Sequence, residues 1–377
     1  MTAFPILQFG TSRFLQAHVD LFVSEALARG EAMGRIAVVR TTSSEESRKR
    51  LAAFATGKPY LVQVKGLAGG RVVDETVEVS SIGGGADATE QWDEVERLFN
   101  EARCVVSNTA DRGYETDPAD RPGARPPRSF PAKLAKLLLA RHRAGARPIT
   151  LFPCELTSNN GKVLCGAVLG VLDRWEAPSK ARRWVEKDCI WVNSLVDRVV
   201  SQPLEPVGAV AEPYALWAIE DQPGLELPCR HAAIAVTSDL KPYERLKLFI
   251  LNLGHTYLAE IWARRGGAQT LTVREAMADE AIRAELDDLY NQEVLPIFAG
   301  IEMREEAHTY RDTVIERFCN PFLNHRLADI YANHDVKKQR RFGGLIELAE
   351  ANNVRISLPR LRAALASNEG AVSTPAG

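Results

Sequence analysis

In the stretch KPYERLKLFILNLGHTYLAEIWARRGG, residues 241–267, three side chains capable of chemistry stand among apolar ones: Lys247, Asn252 and His255. Pro242 suits a first helical turn and Gly266-Gly267 a stop, so the spacing predicts one helix. At roughly 100° per residue the three fall near 0°, 140° and 80° around the axis, on one broad face. They span about 12 Å of helix, the scale of a sugar-sized ligand. An apolar setting disfavours a charged ammonium, which lowers the pKa of a lysine and suits it to act as a general base. Asn252 can donate a hydrogen bond to a carbonyl or developing alkoxide oxygen, and His255 can orient a substrate or the lysine. The same spacing fits a surface lysine beside an asparagine and a histidine packed into a helix.

The second such stretch is PILQFGTSRFLQAHVD, residues 5–20, where an apolar run meets Gly10 and a helix is predicted from about Phe14 to Ala28. A dinucleotide loop works because backbone N–H groups at a helix start face the pyrophosphate. Its first glycine makes the tight turn and its second lets the phosphate approach. Gly10 supplies the turn, but Ser12 and Leu15 stand where the later glycines of G-x-G-x-x-G belong. Serine is small and can itself donate, so Gly10, Thr11, Ser12, Arg13 and Phe14 are candidates for holding a nucleotide. A strand–glycine–helix junction is equally common in α/β proteins that bind none. At the end of the second strand, Arg40 and Ser43 stand where an acid usually takes the ribose hydroxyls. Either Arg40 holds a 2′-phosphate or stacks on adenine, or it is an ordinary exposed strand end.

These side chains need a scaffold, and 377 residues are enough for two domains. Strand-like runs at 6–9, 35–40, 104–107 and 149–152 alternate with helical patterns at 14–28, 90–100 and 131–143. That alternation predicts an α/β fold with a Rossmann-like parallel sheet. Alternating residues at 60–65 and 71–80 around a glycine-containing turn predict a hairpin. From about residue 241 the pattern is helical, at 243–265, 272–291 and 344–351, with a loose tail expected at 368–377. The expected organisation is a nucleotide-binding domain over 1–240 and a mostly α-helical catalytic and substrate domain over 241–377.

The net charge of −2 gives no electrostatic reason to expect nucleic acid or an anionic membrane as partner. No apolar run reaches the roughly 18–20 residues of a membrane span, and a strand begins within five residues of the N-terminus, so the expected location is cytoplasmic. The six cysteines form no C-x-x-C pair, and none lies three or four residues from a histidine; neither a metal site nor a disulfide framework is expected.

The K-x4-N-x2-H pattern of Lys247, Asn252 and His255 resembles the catalytic helix of the polyol-specific long-chain dehydrogenases, the mannitol dehydrogenase family. Further segments match in the family's order: ILQFGTSRFLQAHVD its nucleotide loop, and VVSNTADRGY (105–114) the segment approaching the nicotinamide. PCELTSNNGKVL (153–164), NSLVDRVV (193–200) and ERFCNPFLNHRL (316–327) resemble later blocks, the last closing the substrate pocket. The wording is most similar to the hexuronate-acting branch; where polyol enzymes more often carry asparagine, this chain has Leu156.

The resemblance implies that Lys247 is the acid–base group, Asn252 an oxyanion donor and His255 a positioning residue. It implies cofactor contacts at Asn108 and the Gly10 loop, with NAD as coenzyme and NADP possible. It implies substrate contacts at Asn193, Asp197 and Lys337, with Arg317, Asn320 and His325 serving either the substrate or the structure as caps or an ion pair. The expected reaction is metal-independent interconversion of an alcohol and a ketone on a hexuronate-derived keto acid. A neutral sugar alcohol is the alternative substrate, and a catalytically idle nucleotide binder the alternative class. The protein is expected to be a monomer or small homo-oligomer.

Overall fold

A computed structural model describes residues 4–109 and 112–367; the tail expected at 368–377 lies outside them. Six short runs lie side by side as β1 (Ile6–Phe9), β2 (Ile36–Arg40), β3 (Ile82–Asp87), β4 (Cys104–Ser107), β5 (Thr150–Pro153) and β6 (Ile190–Trp191). Every pairing is parallel, in the order β3-β2-β1-β4-β5-β6, so the chain reverses direction across the sheet between β1 and β4. This is the doubly wound nucleotide-binding order, and ligands in such sheets lie beyond the carboxyl ends of the strands.

The strands read as apolar runs because both faces are covered. Side chains alternate between the faces, so Leu7, Phe9, Ala37, Val39, Val105 and Leu151 enter one core. Ile6, Ile36, Val38, Cys104, Val106 and Phe152 enter the other.

Two smaller sheets flank this frame. One pairs Ser194–Asp197 and Ile234–Thr237 with Leu216–Glu220; the other joins Val200–Pro203, Ala209–Ala211, Tyr60–Ala68 and Arg71–Val79. The predicted hairpin is present, with a first strand three residues longer than expected. Its turn is Gly69-Gly70, with φ of 58° and 73°, the doubly left-handed pair that a two-residue hairpin turn requires.

The helix expected over 14–28 is two, Arg13–Gln16 and Val19–Ala28. His18, at φ −129° and ψ −96°, breaks it. The Gln16 side chain bonds the Thr11 carbonyl and the Gly208 N–H, and the His18 ring bonds the Leu216 carbonyl. Those tertiary bonds replace the helical continuation that the apolar pattern suggested.

By contacts the chain separates into two compact units. One holds the chain to Val64, Glu75–Ala211 and Ala215–Leu240. The other holds Lys65–Asp74, Glu212–Tyr214 and the chain from Lys241. The second unit is helical around one core that includes Phe249, Ile250, Leu253, Tyr257, Leu286, Phe298 and Phe342. Among the described residues no helix is long and apolar enough to cross a membrane.

Candidate active site

In the first unit, β1 ends at Phe9 and the chain turns at Gly10 with φ +114°. A Cβ at Gly10 would lie 2.8 Å from the Asn108 carbonyl oxygen, so both the dihedral and the close approach demand glycine. Ser12 caps the short helix by accepting from the Leu15 N–H at 3.2 Å, and its hydroxyl donates to Asn108 Oδ1 at 2.9 Å. Asn108 Nδ2 in turn donates to the Cys154 carbonyl at 2.8 Å. One asparagine therefore ties the loop after β1 to the ends of β4 and β5. The serine that breaks the glycine pattern is a working part of that tie.

The backbone N–H groups of Thr11, Ser12, Arg13 and Phe14 find no acceptor among the described residues, the orphan donor set an anion takes at a helix start. These residues fit a dinucleotide phosphate. The side chains of Thr11, Arg13 and Phe14 are spent on the fold. Thr11 Oγ1 accepts from Arg50 Nε at 3.1 Å. The Arg13 guanidinium donates to the Leu204 and Gly208 carbonyls and to Glu205, and Phe14 stacks on His18.

Arg40 corrects an expectation. It is not an exposed strand end but 2% accessible, ion-paired with Asp87 at the end of β3, with Nε 2.6 Å from Oδ2. Burial alone would raise the Asp87 pKa. Bonds from the Thr89 N–H and from Arg40 outweigh it and hold the carboxyl below its ordinary range. The charge offered for a 2′-phosphate is therefore already neutralised, by an acid 47 residues away that local reading could not pair with it.

Glu155 lies in the PCEL block but carried no expected role. It gathers the segment after β4: Ser107 Oγ, the Thr109 N–H and hydroxyl, and the Tyr114 hydroxyl all donate to it, the last at 2.8 Å. Asn193 spends both ends of its amide, accepting from the Lys162 N–H at 3.0 Å and donating to Glu220 at 2.8 Å. Both ends of the amide expected to meet substrate are thus engaged within the fold. Asp197, 5% accessible, closes the Ser194–Asp197 strand opposite Leu216.

In the second unit the helix expected at 243–265 runs from Lys241 to Arg264, but Lys247–Asn252 is a π turn between α-helical stretches. The angles drawn for a uniform α-helix therefore do not apply. A wider i→i+5 turn brings its first and last residues, Lys247 and Asn252, toward the same side of the helix, and such turns recur at functional sites. Carbonyls displaced from their regular partners need other donors. Tyr290 Oη donates to the Ile250 carbonyl at 2.8 Å. Thr256 Oγ1 and Arg341 Nη1 both donate to the Asn252 carbonyl at 3.0 Å. Gly254 makes the first possible: a Cβ there would lie 1.9 Å from the Tyr290 hydroxyl.

One turn on from Asn252, the His255 ring packs 4.5 Å from Phe318 and 5.2 Å from His325. Burial holds the His325 pKa below its ordinary value, against the pull of Asp329. Lys337 Nζ donates to the Ile330 carbonyl at 2.6 Å, and burial followed by the neighbouring Arg341 charge lowers its pKa.

Two members of the ERFCNPFLNHRL block are structural. Arg317, 5% accessible, grips Glu212 with Nε at 2.9 Å and Nη2 at 2.8 Å and lies 4.4 Å over the Tyr214 ring. Asn320 donates to the Lys65 carbonyl and accepts from the Phe322 N–H. Of the two readings open for Arg317, the ion pair is the one found, and its charge is neutralised within the fold. Arg341, which the sequence reading passed over, stands at the π turn instead; its place four residues after Lys337 was the available signal. Among the described residues no cluster of His, Cys, Asp and Glu could hold a metal ion.

The chain matches the family model of the mannitol dehydrogenase Rossmann domain over residues 5–227 and that of the mannitol dehydrogenase C-terminal domain over 239–367. An altronate oxidoreductase of Bacillus subtilis is 31% identical over 92% of this chain and 75% of its own length. That of Yersinia pestis is 30% identical over 96% and 78%. In fold, a D-sorbitol dehydrogenase in substrate-free form superposes with a TM-score of 0.80 at 22% identity, covering 96% of this chain and 79% of that one. Pseudomonas fluorescens mannitol 2-dehydrogenase, in a ternary complex with NAD and D-mannitol, gives 0.74 at 20% identity, covering 99% and 81%.

Proposed function

The chain belongs to the mannitol dehydrogenase family, and from that premise we propose that it is a metal-independent, NAD(H)-dependent oxidoreductase interconverting the secondary alcohol and the ketone of a sugar acid. The observation that carries the reading is the π turn bracketed by Lys247 and Asn252, with His255 following on the same helix. The altronate oxidoreductases point to the acid substrate. So does Leu156, which is 73% accessible and offers no hydrogen bond where the polyol branch more often has an asparagine. Retention of all three helix residues argues against an idle nucleotide binder.

The orphan N–H groups of residues 11–14 and the glycine turn that Asn108 fixes would hold NAD(H), which when bound would supply or accept the hydride. In the reducing direction Lys247 gives a proton to the carbonyl oxygen as negative charge builds there; in the oxidising direction its neutral amine takes the hydroxyl proton. The Asn252 amide donates to the same oxygen and stabilises its developing charge. His255, steadied by Phe318 and His325, orients the hydroxyl.

The test is NADH consumption with a panel of ketouronates, ketoses and, with NAD, polyols and aldonates. Turnover of a ketouronate well above any neutral sugar is the expected result. Turnover of neutral polyols alone would move the protein to the polyol branch.

A further inference from the structure

Buried cations in the helical unit are matched to carboxylates, as burial of charge requires. Arg317 has Glu212, and Lys338 has Asp335 and Glu260. Two cations on the same helical stretch as Lys338 break this pattern. Neither Lys337 nor Arg341 has an acidic partner within 4.0 Å among the described residues, although both are partly buried and one turn apart. Around them lie more positive or neutral groups, Arg340 and His325; the nearby Asp329 is held bidentately by Arg326.

The hydrogen bonds of Arg341 are unevenly spent. Nη1 donates to the Asn252 carbonyl and to Thr256 Oγ1. Nε and Nη2 donate to nothing among the described residues, and neither is a buried atom left unsatisfied, so that edge remains accessible. The Nε–Nη2 edge of a guanidinium is the fork that a carboxylate fills with two parallel bonds.

Resting on the sugar-acid reading above, we propose that Arg341 is the specificity-determining residue that binds the substrate carboxylate through its Nε–Nη2 edge, with Lys337 adding the second positive charge. Its Nη1 bonds to the π turn fix that fork relative to Asn252, so one side chain measures the distance from the carboxylate to the reacting carbon. Burial and the Arg340 charge pull the Arg341 pKa down to about 10, the direction expected of a cation that lacks its anion.

The experiment compares kcat/KM for D-tagaturonate and D-tagatose, which differ only in carboxylate against hydroxymethyl, in the NADH-dependent reaction of wild type, Arg341→Met and Arg341→Lys. Because Nη1 supports the π turn, Arg341→Met slows both substrates, and only the acid-to-neutral ratio reads the carboxylate. That ratio is expected to fall at least about 10-fold in Arg341→Met, the scale of a charge-assisted hydrogen bond. In Arg341→Lys, which keeps the charge but loses the fork, it recovers in part. An unchanged ratio in Arg341→Met, or in Arg341→Lys should the first variant not fold, overturns the assignment while leaving the sugar-acid reading intact. A wild type that reduces tagatose and not tagaturonate overturns both.

Discussion

At Arg40 and Asp87 two charges leave water together, and each is tolerable only while the other is present. Replacing Arg40 with Met strands the Asp87 carboxylate, so the expected cost is about 3–5 kcal/mol in urea unfolding. Arg40→Met with Asp87→Leu should recover much of it. A single variant as stable as wild type would show that the pair holds nothing. The same pairing explains what could be read at this scale. That Lys247, Asn252 and His255 share one helix was legible because all lie on one continuous apolar pattern. For Arg40, Arg317 and Asn193 the local sequence left the bonding partner unnamed, because Asp87, Glu212 and Glu220 come from distant segments. A side chain's type announces its chemistry, but its neighbours decide whether that chemistry is available.

The helix carrying the candidate catalytic residues depends on an irregularity that donors from outside it maintain. Tyr290→Phe removes the donor to the Ile250 carbonyl and should cost about 1–3 kcal/mol of stability, with a larger fractional loss in kcat than in coenzyme affinity. Gly254→Ala pushes a methyl into the Tyr290 hydroxyl and should behave likewise, at about 1–3 kcal/mol for overpacking. Denaturant unfolding and steady-state kinetics on the same samples check both; full activity in either variant would show that the π turn is not needed. No sequence pattern marked this turn. Its apolar residues satisfy the ordinary helical period, and the glycine that permits it reads locally as a mild helix destabiliser. The hairpin was legible because Gly69-Gly70 answers a purely local requirement on the backbone.

For the whole molecule, the Rossmann-like sheet followed from apolar strands alternating with helices. The small sheet of Ser194–Asp197, Leu216–Glu220 and Ile234–Thr237 was not seen as a whole, because short strands paired across long loops leave little periodicity. Stability should carry the signature of Asp20, fully buried on the Val19–Ala28 helix and bonded by the Tyr60 hydroxyl at 2.9 Å. Burial raises its pKa to about 7, more than its hydrogen bonds lower it. The unfolded chain gives up this proton at lower pH than the folded one. Stability should therefore fall as pH rises from about 4 to about 7 and level off above, and Asp20→Asn should flatten that slope in thermal melts. The central claim, that this fold reduces a sugar acid with a lysine as its acid–base group, is tested most directly by NADH-dependent reduction of D-tagaturonate by wild type and Lys247→Ala, with NADH binding measured in both. The expected result is wild-type turnover, a kcat at least about 100-fold lower in the variant, and equal NADH affinity; a variant that turns over like wild type would contradict it.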